Sequence, residues 1–104
     1  MIKLLKRYMN DDELFKLVGY VMASDYRKNI IKSIGNDIKI PSVIAEEIGL
    51  RTNHVSNVLN DLKSKNIVVC LNEEARKGRL YKNTDLGLTI LKYIEWIVFN
   101  KKKK

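Results

Sequence analysis

A single cysteine, a single histidine and a single proline occur among the 104 residues. One cysteine, Cys70, excludes an intramolecular disulfide, and its place in the apolar run IVVCL reads as a buried structural thiol. With His54 as the only histidine, no Cys/His cluster has metal-ligand spacing, and neither a metal nor another cofactor is expected. No apolar run approaches the ~20 residues of a membrane span. The opening MIKLLKRYMN lacks the longer apolar region and small-residue cleavage site of a signal peptide. These absences lead to the expectation of a soluble, cytoplasmic protein with no membrane partner.

Catalytic signatures are missing too. Asp11, Asp12 and Glu13, and the pairs Glu46/Glu47 and Glu73/Glu74, fall at helix starts, on exposed faces or in loops. Nothing sets two carboxylates around a cleft in contrasting environments, as acid–base chemistry requires. Serines and His54 occur without a nucleophile turn or a third partner, and no phosphate-cradling glycine loop is present. An enzyme is not expected.

What the sequence does have is a formal charge of +8, unevenly spread. The +3 of Lys3, Lys6 and Arg7 and the +4 of Lys101 to Lys104 leave only +1 for residues 11 to 100. A polyanion partner fits the total, but the distribution says little about the fold's own binding face. The basic end is either a nucleic-acid tether or a solvated tail. Length and 45% apolar content suit one domain with a compact core.

The stretch PSVIAEEIGLRTNHVSNVLNDLKS, Pro41 to Ser64, organises the rest. Its spacing predicts a short helix bearing Val43, Ile44, Ile48 and Leu50, then a left-handed C-terminus at Gly49. A second helix follows, with Thr52 as its expected N-cap. Val55, Val58, Leu59 and Leu62 follow the i, i+3, i+4, i+7 pattern of a buried face. At about 100° per residue, Asn53, Asn57, Asn60 and Ser64 point the other way, flanked by Ser56 and Asp61. Asn and Ser form helices poorly, so their concentration here is unusual for a solvated face. Amides and hydroxyls both donate and accept, which suits base edges and phosphates in a major groove. The plainer reading is a polar surface helix without a partner.

Upstream, residues 1 to 10 are basic and apolar together, a short helix or an arm. Asp11 to Glu13 suit a helix start, and Leu14 to Met22 continue as a helix, with an extended Val-Gly-Tyr-Val as the other option. Ser24 caps a third segment carrying Tyr26, Ile30, Ile31 and Ile34. Asp37 to Ile40 is expected as a brief strand leading into Pro41, which suits a first helical position. Downstream, Ile67 to Leu71 and Leu80 to Asn83 read as two strands around a polar loop. Thr84 caps a last helix that is apolar around much of its circumference. So wide an apolar surface points to a homodimer through Leu91, Ile94, Trp96, Ile97 and Phe99, with the N-terminal segment contributing. Packing of that helix on Leu14 to Met22 within one chain is the alternative.

Helix, helix, turn, helix, two-stranded hairpin, helix is the order of a winged helix-turn-helix domain, mainly α with a small β-hairpin. Through ASDYRKNIIKSI, PSVIAEEIGLRTNHVSNVLNDLKSKNIVVCLN and RKGRLYKNTDLGLTIL, the sequence resembles archaeal winged-helix transcriptional regulators of the broad ArsR/MarR-like group. These segments span about Ala23 to Leu91. The resemblance implies one domain: an N-terminal segment (1–23), the winged-helix core (24–83), a dimerisation helix (84–100) and a basic tail (101–104). It implies double-stranded DNA as partner and Thr52 to Ser64 as the recognition helix. Arg51, Thr52 and Asn53 would then enter near phosphates, with His54, Ser56, Asn57 and Asn60 nearest to bases or backbone. Arg76, Lys77 and Arg79 would lie on the wing, over phosphates or a flanking minor groove. Glu73 and Glu74 depart from a purely basic wing; they either face away or pair with Arg76 and Lys77. Arg51 is alternatively a partner of Glu46 or Glu47. Tyr26 and Arg27 are expected at the core edge and on a phosphate-facing surface. The same fold also serves as a protein- or RNA-interaction module in transcription or processing complexes, which is the competing reading.

Overall fold

The computed structural model describes residues 9–102, the last of them by its backbone only. The readings of residues 1–8 as helix or arm, and of the tail's end at 103–104, lie outside the described residues. Among those described, five helices and one hairpin follow in the order α1 (Asp11–Met22), α2 (Asp25–Ile34), α3 (Pro41–Ile48), α4 (Thr52–Ser64), β1 (Val68–Cys70), β2 (Tyr81–Asn83) and α5 (Asp85–Lys102). This is a winged helix-turn-helix fold.

Each helix starts where a side chain or a fixed backbone angle permits it. At α1, the Asn10 side chain accepts from the Glu13 amide at 2.8 Å and donates back to the Glu13 carboxylate at 3.1 Å, a reciprocal cap. Three acids follow in its first turn, where the helix dipole favours them. Ser24 caps α2 by accepting from the Arg27 amide. Pro41 opens α3, and Gly49 closes it at φ +73°, a left-handed angle that a side chain resists. Thr84 caps α5, accepting from the Gly87 amide at 3.0 Å while its hydroxyl lies within bonding distance of the Asn66 and Ile67 carbonyls.

The expected Thr52 cap is not found. Arg51 occupies the N-cap position of α4 without a side-chain bond, and Thr52 is already the first helical residue. Arg51, extended at φ −77° and ψ 145°, is the residue that enters the helix, so the helix begins one residue earlier than the hydroxyl suggested. The strand expected at Asp37–Ile40 reduces to one antiparallel bridge, Lys39 to Tyr81, with both backbone bonds made at 2.9–3.0 Å. Lys39 is held there because its ammonium bonds the Ser33 carbonyl and both oxygens of Glu47, at 3.0 and 2.8 Å.

Ile30, Ile31 and Ile34 of α2, Ile44 of α3, and Val55, Leu59 and Leu62 of α4 meet in a core with no exposed surface. Val21 of α1, Ile67 just before β1, Tyr81 of β2 and Ile90 of α5 join it. The hairpin pairs Val68 with Asn83, Val69 with Lys82 and Cys70 with Tyr81. Buried Asn83 ties it to α2 by donating to the Ile31 and Gly35 carbonyls at 2.9 and 3.0 Å. At Gly87 a Cβ would lie 2.2 Å from the Ile67 carbonyl oxygen, so only glycine lets α5 pass this close to the root of β1. Helix α1 packs along α5, with Phe15 edge-on to Tyr93 at 5.3 Å. Cys70 is buried, as expected.

Candidate nucleic-acid interface

Helix α4 rests on α3, α2 and β1 through Val55, Leu59 and Leu62, with Val58 half-buried. That underside turns Thr52, Asn53, Asn57 and Asn60 outward, and all four are exposed. The Asn53 side chain accepts from the His54 amide at 3.0 Å. Among the described residues no side-chain hydrogen bond ties Asn57 or Asn60, so both amides are available to a partner. Among the described residues, nothing covers Asn53, Asn57 and Asn60, which are all exposed.

Two walls bound it. On the α2 side, His54 is half-buried against Tyr26, the rings edge to face at 4.5 Å. On the opposite side, Ser56 is half-buried and Lys63 reaches Glu73 of the hairpin loop at 3.0 Å. The loop acid expected to face away or to pair with Arg76 and Lys77 therefore pairs with the helix, a link that itself stabilises little because it is half-exposed. Arg76 and Lys77 are exposed at the loop tip, with no ion pair among the described residues.

Arg79 behaves differently. Its Nε donates to the Ala75 carbonyl and its Nη2 to the Glu73 carbonyl, each at 2.8 Å. The neighbouring Tyr81 phenol holds the guanidinium pKa above its ordinary value, so the group is charged at every relevant pH. Arg27, expected to face phosphate, instead lies over the Tyr20 ring at 3.8 Å and donates to the Tyr20 carbonyl at 2.8 Å. Arg51 is exposed and forms no ion pair with Glu46 or Glu47. Glu47 is instead engaged by Lys39 and by the Ser33 hydroxyl, which together hold its pKa below the ordinary carboxylate value.

Sequence reasoning missed Tyr26 as the partner of His54 and Asn72 as a loop organiser. An asparagine directly after a strand was the available signal, because its side chain readily bonds nearby backbone. Asn72 accepts from the Leu80 amide at 2.7 Å and donates to the Gly78 carbonyl at 3.2 Å.

On α5, Trp96 and Phe99 are 64% and 58% exposed, and Phe15 of α1 is 50% exposed. Leu91 and Ile97 are half-buried, whereas Ile94 belongs to the chain's own core. No described helix is long and apolar enough to cross a membrane. No group of three or more His, Cys, Asp or Glu among the described residues is arranged to hold a metal.

The fold and this surface together define a winged helix-turn-helix protein. Solved structures with the same fold include NolR from Sinorhizobium fredii, at TM-score 0.66 and 22% identity, covering 84% of this chain and 86% of that one. The AntR antimony-specific transcriptional repressor is similar at TM-score 0.66 and 19% identity, over 91% of this chain and 87% of its own. The homodimeric winged helix-turn-helix DNA-binding domain of Mb0332 from Mycobacterium bovis, a possible ArsR-family transcriptional regulator, gives TM-score 0.63 and 21% identity, over 86% and 81%. At these identities the likeness is one of fold. No protein-family model matches the chain, and no curated protein matches it significantly.

Proposed function

We propose that this chain is a homodimeric, sequence-specific double-stranded DNA-binding transcriptional regulator of the ArsR/MarR-like kind. The observation that carries the reading is the exposed amide ridge of α4, with Arg76 and Lys77, which form no ion pair among the described residues, on the loop linked to it through Lys63 and Glu73. Asn57 and Asn60 each offer a donor and an acceptor, the pair of groups that reads adenine in a major groove. Asn53, Thr52, Arg51 and Ser56 line the approach to the same face, and His54 sits at its α2 edge. Asp61 is the only carboxylate on α4 and keeps phosphate away from its own edge, which favours the opposite edge for the DNA backbone. There Arg76 and Lys77 supply wing contacts.

The homodimer rests on Trp96 of α5, with Phe15 and Phe99 beside it, aromatic side chains that keep half or more of their surface exposed. Exposed aromatic patches of this kind mark interfaces. Leu91 and Ile97 border it, and Ile94 supports it from beneath. The homodimeric state of the similar Mycobacterium domain agrees with this arrangement.

Selection of bound duplexes from a random pool tests the function. A recovered palindrome is expected, since two copies related by a two-fold axis read two half-sites. A pool without enrichment overturns the reading in favour of an interaction module. Sedimentation equilibrium at micromolar concentration checks the oligomer: a dimer is expected, and a monomer counts against the assigned interface.

A further inference from the structure

Backbone pairing joins the loop from Leu71 to Leu80 to the sheet at its root, where the Leu71 amide donates to the Leu80 carbonyl at 2.8 Å. Beyond that point side chains hold it. A turn closes at Asn72–Ala75, the Ala75 amide donating to the Asn72 carbonyl at 3.0 Å. Across this turn lies Arg79, its guanidinium forked onto the carbonyls of Glu73 and Ala75. Arg76 and Lys77 lie in the short segment between Ala75 and Arg79 that this clasp closes, and Gly78 reverses the chain at φ +66°. An arginine with two donors committed to backbone carbonyls 2.8 Å away is poorly placed to leave them for phosphate. Ordering the tip in advance also removes part of the entropy that a floppy loop loses on binding.

We propose that Arg79 is a positioning residue of the wing: by clasping the Glu73 and Ala75 carbonyls it presents Arg76 and Lys77 together to the DNA backbone, without touching DNA itself. This rests on the DNA-binding reading above. It separates three basic residues that sequence alone places in one group. Lysine cannot replace Arg79, because a single ammonium lacks the planar fork that spans both carbonyls. A direct phosphate contact, by contrast, survives exchange of one cation for another.

The test uses the full chain and a fluorescein-labelled mixed-sequence duplex, with affinity followed against salt for wild type, Arg79→Lys, Arg76→Ala/Lys77→Ala and the triple variant. In parallel, amide exchange at Ala75 and Leu80 is measured without DNA. Arg79→Lys is expected to reduce the salt slope by about 1.8, the loss of two phosphate contacts. The triple variant should bind no more weakly than Arg76→Ala/Lys77→Ala, and the two amides should exchange about fivefold faster in Arg79→Lys. Wild-type affinity and slope in Arg79→Lys overturn the proposal, as does a full additional loss in the triple variant. Unchanged exchange overturns it whatever the DNA does. A wild-type chain that binds no duplex at low salt refutes the DNA-binding reading, while the exchange result still decides the clasp.

Discussion

The ridge of α4 and the wing loop are joined by the Lys63–Glu73 pair, yet they are built by opposite means. On the ridge, the helix satisfies its own backbone and the core fixes its position, so Asn57 and Asn60 carry no side-chain bond among the described residues. In the loop, the backbone has no ladder beyond its root, and Asn72 and Arg79 supply the missing partners. The helix presents all its polar face; the loop presents only the residues not engaged in holding it. A binding residue on a helix is therefore readable from periodicity, whereas on a loop it is known only once the internal bonds are known.

The contrast is broken most severely from beneath the ridge. Leu59→Ala removes a fully buried side chain under Asn57 and Asn60, and a loss of about 2–5 kcal/mol is expected in urea unfolding. A loss under about 1 kcal/mol, the range of an ordinary surface change, means that the core does not carry the ridge. Next in size, Asn57→Ala should cost about 1–3 kcal/mol of discrimination at particular base pairs of a selected operator, with stability unchanged. Uniform weakening across all sequences makes Asn57 a backbone contact instead. Asn72→Ala should leave the global unfolding midpoint within about 0.5 kcal/mol of wild type while speeding exchange at Leu80. A large drop in global stability makes the loop part of the core and removes the contrast.

The smallest effect concerns pH. The carboxylate of Glu47 is held below its ordinary pKa by Lys39 and Ser33, so its contribution is fully present above pH 4.5 and is lost as pH falls through the lower folded value. Glu47→Gln should therefore be less stable than wild type at neutral pH, and the difference should shrink on acidification below that value. A difference that is the same at both extremes places the effect in packing rather than in charge.

The residues proposed to contact DNA divide along the same line. Asn53, Asn57 and Asn60 were legible as one outward face because Val55, Leu59 and Leu62 recur at helical spacing opposite them, and the structure leaves that face open. Arg76, Lys77 and Arg79 looked equivalent because charge is all that sequence reports of them. Only the folded loop reveals that Arg79 bonds two carbonyls while the other two form no ion pair among the described residues. Glu73 was read against its neighbours in sequence, yet its partner is Lys63 of another element. Thr52 was misplaced by one residue because a hydroxyl at a helix start is a cap only when the chain enters extended, and here Arg51 takes that conformation.

The order of helices and strands, the turn at Gly49 and the apolar underside of each element were determined by sequence alone, since each follows from local periodicity or a backbone angle. The approach of α5 to Ile67 at Gly87, the docking of Asn83 on α2 and the division of the wing cations were decided only by tertiary structure. Those depend on which distant groups arrive within bonding distance, and no local pattern encodes that.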